Sequence, residues 1–312
     1  VDLLAHVGRR AIVRTPERVT VRLSARASWA DATIDLVAYT ATPGLFRWKV
    51  AMALSCGLLC GVPAFAASAQ GKVQGQLVQG SSGTMFGAEV TTWARLAADG
   101  SVLTAGATLP MALIENVPST PAGIDAMKAP PPGYKPFALD FPAAVKATTF
   151  LNHVDLGWVP DGHPPVYMLP HFDLHFFTIS AQEVEDIDCK NLTQASASLI
   201  APGYIPAVPP NQQPADVCVP FMGFHSLPMG DLAPSMKFEK TMLAVYYSGQ
   251  VSAIEPMVTR DTLMKKQSFS LPVPALATVG KATRYPTKFE AVFDKAANAY
   301  QLMFSNFVTK RR

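Results

Sequence analysis

"FEKTMLAVYYSGQVSAIEPMVTR", residues 238–260, reads as a β-hairpin, with aromatic and β-branched runs on either side of Ser248-Gly249-Gln250. Two such runs parted by a short turn containing glycine are the local signature of paired antiparallel strands. The design recurs in "YPTKFEAVFDKAANAYQLMFSNFV" (285–308), with its turn near Asp294 to Asn298. Working back along the chain, "KVQGQLVQG" (72–80), "AEVTTWARLAADG" (88–100) and "LPMALIENVP" (109–118) read as early strands. "TTFLNHVDLGWVP" (148–160) runs into the turn "DGHPP" (161–165) and then into "VYMLPHFDLHFFTIS" (166–180) as a second pair. Helical periodicity is scarce, and "AQEVEDIDCKNLTQA" (181–195) is the best candidate for one short helix. The pattern predicts an all-β fold, an antiparallel barrel-like or sandwich domain with few helices, over residues 70–312. "PSTPAGIDAMKAPPPGYKP" (118–136) is Pro-rich and reads as a surface excursion within that single domain.

The chain has 312 residues, 49% of them hydrophobic and 16% charged, which is enough apolar material for a sizeable core. Residues 45–69 carry a basic start (Arg47, Lys49), an apolar run from Val50 to Val62, a break at Pro63, and the small-residue motifs Ala64-Phe65-Ala66 and Ala67-Ser68-Ala69. That order predicts a signal peptide and an exported protein, periplasmic or secreted, with no membrane span after cleavage. Residues 1–44 are Arg-rich without lysine and read as a non-structural extension or as sequence upstream of the true start. Residues 70–312 hold 18 Lys and Arg against 19 Asp and Glu, and this near-neutral balance without a basic patch argues against nucleic acid as partner. Two cysteines remain there, Cys189 and Cys218, which in an exported chain form one disulfide or stay as two thiols. A bridge would close the Pro-rich loop that ends in "ADVCVP".

Chemistry concentrates in "PHFDLHFF" (170–177). Side chains alternate faces along a strand, so Phe172, Leu174 and Phe176 share one face while His171, Asp173 and His175 share the other. The apolar face needs a core. The polar face runs on into Phe177 and Ile179, which suits a cavity better than open solvent. At about 3.3 Å per residue, His171 and His175 stand about 13 Å apart, too far for one ion on a straight strand. Adjacent members can share an ion, or Asp173 can orient both imidazoles from between them. A site built on His175 therefore needs further ligands from elsewhere.

His225, in "FMGFHSLPMG", is one candidate, and Glu255, just before Pro256 in an apolar strand, is another. A carboxylate in such a strand must be paired or coordinated. Glu255 either joins the site or pairs with Arg260 or Lys240. His163, in "DGHPP", is a further pocket candidate, whereas His153 reads as a structural histidine. His171, His175 and His225 as metal ligands, with Asp173 and Glu255 as catalytic carboxylates, would suit zinc, manganese or iron. No zincin motif, phosphate-binding loop, nucleotide-binding glycine pattern or Gly-x-Ser-x-Gly elbow occurs, and Ser226 beside His225 lacks a triad context.

The segments "GHPP…YMLPHFDLHFF", "GFHS" and "IEPMVTRDTL" resemble an uncharacterised bacterial family, a domain of unknown function whose members pair an HFDxHF strand with a later Glu-Pro-Met stretch. The family includes an extracytoplasmic-stress-regulated hypothetical protein. The resemblance covers about residues 75–310, with matching positions at His171, Asp173, His175 and Glu255. It implies a secreted, barrel-like β domain that forms homo-oligomers, and it supplies no activity. The long leader and the loop between Cys189 and Cys218 have no counterpart in that pattern. Three functions fit the sequence: a metal-assisted hydrolase or lyase, a non-catalytic structural envelope protein, or a module binding a small-molecule ligand in an aromatic-rich barrel interior.

Overall fold

The computed structural model describes residues 75–126 and 134–311. The expected extension (1–44) and signal peptide (45–69) lie outside the described residues. In chain order the strands are β1 (Gln76–Met85), β2 (Ala88–Leu96), β3 (Val102–Pro110), β4 (Ala122–Gly123), β5 (Phe137–Asp140), β6 (His153–Val159), β7 (His171–Phe177), β8 (Phe224–Ser226), β9 (Lys240–Tyr247), β10 (Gln250–Thr259), β11 (Phe269–Pro272), β12 (Thr283–Tyr285), β13 (Lys288–Asp294), β14 (Ala299–Ser305) and β15 (Val308–Lys310). One sheet has the order β1-β2-β3-β14-β13-β11. The other runs β4-β6-β7-β10-β9-β8, with β5 also paired to β6. Every pairing between these strands is antiparallel. The early and late strands build the first sheet and the middle of the chain builds the second.

Neither sheet closes on itself, so the sandwich expectation holds and the barrel is corrected. The reason is visible at Phe176. Its ring lies 4.8 Å from Phe304 and 6.5 Å from Phe289, both on the opposite sheet. Phe172, Leu174 and Phe176 face this inter-sheet core with Val154 and Leu156 of β6 and Ile254 and Val258 of β10. Ala105, Ala107, Leu302 and Phe304 meet them from the other side. Each fully buried ring or branched side chain contributes about 1.5–3 kcal/mol, so the two inner faces supply the main drive for the fold. The aromatic interior is therefore packed solid and is not a ligand-holding barrel lumen.

Both expected hairpins form. Tyr247 pairs with Gln250 around Ser248 and Gly249, whose positive φ values of 50° and 74° match the right-handed twist of the strands on either side. Asp294 pairs with Ala299 at the C-terminal turn. β6 and β7 pair along their whole length, but the link between them is longer than a turn and spans residues 160–170. Three further expectations are corrected. Met111–Glu115, in the segment read as an early strand, is a short helix, α1, starting after Pro110. The start of the segment 148–160 is the end of a helix, α2 (Ala143–Thr148), and its strand begins only at His153. The helix expected in 181–195 covers only Ala181–Glu185, α3, opened by a capping box between Ser180 and Glu183.

Candidate metal centre

The outer face of the second sheet differs from an ordinary solvated face. Every residue of β6 and β7 is buried, including His153, Asp155, His171, Asp173 and His175. Loops roof this face. Ile124, Phe221 and Met222 gather over Phe177 and Val245, and Tyr167 and Phe238 gather over Leu243 and Met257. The disulfide Cys189–Cys218 does form, with Cα atoms 5.8 Å apart. Close to it, the Phe221 amide donates to the Ile187 carbonyl, which fixes the approach to β8 and His225.

Between these apolar clusters the polar groups fall into two sets. In the first, His175 Nε2 and His225 Nε2 lie 3.4 Å apart. Glu255 Oε1 is 3.4 Å from His175 Nε2, and Glu255 Oε2 is 3.4 Å from His225 Nε2. Neighbouring donors on a tetrahedral ion with bonds of about 2.0–2.1 Å stand about 3.3–3.4 Å apart, the spacing of the two imidazole nitrogens here, while each imidazole meets a different oxygen of Glu255. Glu255 pairs with neither candidate cation. Arg260 instead donates to the carbonyls of Ile114 and Glu115, and Glu255 Oε2 is buried without a hydrogen-bond partner.

Burial, reinforced by the neighbouring His225, pulls the His175 pKa down to about 3. Burial likewise pulls His225 down to about 4. Both imidazoles are thus neutral at ordinary pH, the form that ligates metal. Burial, and then the charges of Asp173 and Asp125, push the Glu255 carboxyl well above its usual range.

The second set surrounds Asp173. Its Oδ2 accepts a hydrogen bond from His163 Nε2 at 2.8 Å, and its Oδ1 lies 3.0 Å from His171 Nε2. His171 Nδ1 donates to the Leu169 carbonyl at 2.6 Å. Burial alone would raise the Asp173 pKa, but the charges of His171 and His163 and the hydrogen bond from His163 outweigh it and hold the carboxyl well below the usual range. Burial lowers both imidazoles, and Asp173 reverses this, so His163 and His171 end above their ordinary value. Each set could hold a metal ion. His171 and His175 fall into different sets, as their spacing on one strand requires.

Two carboxylates escaped the sequence reading. Asp125, in the segment read as a surface excursion, lies against β6, where its carboxylate takes the place a side chain on Gly157 would fill. Gly157 pairs with Asp173, which brings Asp125 beside the second set. Burial and the Asp173 charge push the Asp125 carboxyl well above its usual range, against the opposing pull of His163. The other is Asp155, opposite His175 in the register, with its Oδ2 3.7 Å from Nε2 of His153, the histidine read as structural. The ring of His153 and that of His175 both stack on Phe177, at 5.0 and 5.6 Å. A strand-interior glycine marks a close approach, and the His-x-Asp of "HVDLGWV" repeats that of "HFDLHFF"; these were the available signals.

A cavity of about 440 Å³ opens over both sets, lined by Asp125, His163, Asp173, His225 and Glu255 with apolar Met257 among its walls. A larger surface hollow of about 720 Å³, lined by Asn152, Glu183 and Lys281, contains none of the histidines.

Comparison with protein-family models, curated proteins and solved structures finds no match for this chain. The reading of the site therefore rests on its own geometry. Among the described residues no helix is long and apolar enough to cross a membrane.

Proposed function

We propose that this is an exported, metal-dependent hydrolase acting on a small uncharged ester or amide. The observation that carries the reading is the convergence, at the wall of a cavity, of two imidazole nitrogens 3.4 Å apart with the Glu255 carboxyl, whose two oxygens each lie 3.4 Å from one of them. A divalent zinc, manganese or iron ion bound there acts as a Lewis acid toward a carbonyl oxygen and lowers the pKa of a water molecule. His175, fully buried and stacked on Phe177, fixes the floor of the triad. His225 forms its rim. Glu255 presents two oxygens, so one can ligate while the other, without a hydrogen-bond partner, accepts the proton of the attacking water. Asp173 is a poor base because its carboxyl is held far down; it orients His163 and His171 instead.

The substrate class follows from the walls. Apart from these groups the cavity is lined largely by Pro164, Val166, Leu243 and Met257, and among the described residues neither lysine nor arginine lines it to neutralise an anion. Export accords with the disulfide, which oxidising compartments preserve. Assembly into a homo-oligomer has available surface in exposed Met168, Leu169, Met229 and Leu232, and light scattering tests it.

Turnover of uncharged p-nitrophenyl esters and anilides by the metal-reconstituted full chain tests the activity. Chelated protein is expected to be inactive, and Glu255→Gln and His225→Ala to lose about 10²-fold or more while remaining folded. A chain that holds its ion but hydrolyses neither substrate class contradicts the enzyme reading. If it also binds an uncharged ligand, the small-molecule binding module takes its place.

A further inference from the structure

We infer that the same sheet face holds a second divalent transition-metal ion, bound by His163, His171 and Asp173 with the Asp125 carboxylate beside them, separate from the ion at His175, His225 and Glu255. His171 is prepared as a ligand. Its Nδ1–H is committed to the Leu169 carbonyl, which directs the Nε2 lone pair toward Asp173. His171 Nε2 and Asp173 Oδ1 approach to 3.0 Å, yet they are not aligned as a hydrogen bond and both are buried without a partner. Two polar atoms that close without facing each other are placed to face a shared third atom.

Asp125 supplies the independent observation. Its Oδ2 is buried and unpartnered, and it sits where any side chain on Gly157 would have to go. Glycine inside a central strand weakens the strand, so its presence marks the approach of another group, here a carboxylate beside the residue that pairs with Asp173. Two carboxylates brought close beside a cavity whose described lining residues include no lysine or arginine suit a cation. Two imidazoles and one carboxylate, with a second carboxylate nearby, suit manganese, iron or zinc.

Metal content of the chelator-stripped full chain, dialysed against zinc or manganese, tests the inference. His163 and His225 are the least buried ligands, with side chains 43% and 18% exposed, so alanine there spares the packed interior. Thermal midpoints confirm folding. The expected contents are two ions per chain for wild type, one for His163→Ala, one for His225→Ala and none for the double variant. Asp125→Asn is expected to weaken the second ion at least tenfold and to leave the first unchanged. A single wild-type ion that only His225→Ala removes overturns this inference and leaves the proposed function standing. A single ion that only His163→Ala removes does the reverse, and wild type without any ion overturns both.

Discussion

His175 Nε2 and His225 Nε2 meet at 3.4 Å although fifty residues separate them in the chain. The contact spans the sheet. His175 stands on β7 and His225 on the edge strand β8, with β10 and β9 between them. Glu255, on β10, lies within reach of both. Such convergence places two nitrogens and a carboxyl where, among the described residues, no lysine or arginine answers them, an arrangement that an ion would resolve.

Acid titration of the metal-free protein separates the two sets. His175 and His225 titrate at about 3 and about 4 in the fold, below the value of about 6.5 for an unfolded imidazole. As pH falls below about 6.5 the unfolded chain takes up protons that the fold refuses, and stability declines. The raised pKa values of His163 and His171 act with the opposite sign. Their contribution is complete below about 6.5 and is lost as pH rises through the raised values. Urea midpoints should therefore fall less steeply on acidification in His225→Ala than in wild type. The deficit of His163→Ala should be larger at acidic than at alkaline pH. Parallel curves for all three proteins contradict both assignments.

Gly157→Ala places a methyl group on the Asp125 carboxylate. The variant is expected to lower the thermal midpoint and to lose the ion of the second set while keeping that of the first. Retention of two ions contradicts the role given to Asp125.

Phe176 ties the sheets together through Phe289 and Phe304 and also packs on Phe141. Phe176→Ala should cost about 3–5 kcal/mol in urea unfolding, as for other large buried aromatics. A loss below about 1 kcal/mol contradicts the sandwich core described above.

Cys189 and Cys218 close a loop with a sequence separation of 29. Chain entropy predicts that the double serine variant loses about 3–4 kcal/mol. Because the loop leads to His225, reduction should also weaken the ion of the first set more than that of the second. Equal weakening of both contradicts this coupling.

Much of this was legible because strands have a period of two. The alternation in "PHFDLHFF" separates core from site correctly, and the hairpin at Ser248-Gly249 places Glu255 in a buried central strand. The ~13 Å separation on a straight strand argues against one ion reaching both His171 and His175, yet the sequence reading still gathers them with His225 as ligands of one pocket, and the structure divides them between two sets. The partners were not legible. Sequence cannot say that His225 reaches across β9, that His163 folds back onto Asp173, or that a Pro-rich segment carries Asp125 to Gly157. Each depends on long loops whose path is set by tertiary contacts. The barrel expectation failed for a related reason, since alternation reports a buried face without reporting whether that face meets its own sheet or another.

Anomalous diffraction from crystals of the full chain loaded with zinc or cobalt tests the central claim most directly. The account predicts a peak within about 2.0–2.2 Å of His175 Nε2, His225 Nε2 and a Glu255 oxygen. Crystals grown in excess ion that show anomalous density only at exposed side chains, with none among these three residues, would contradict it.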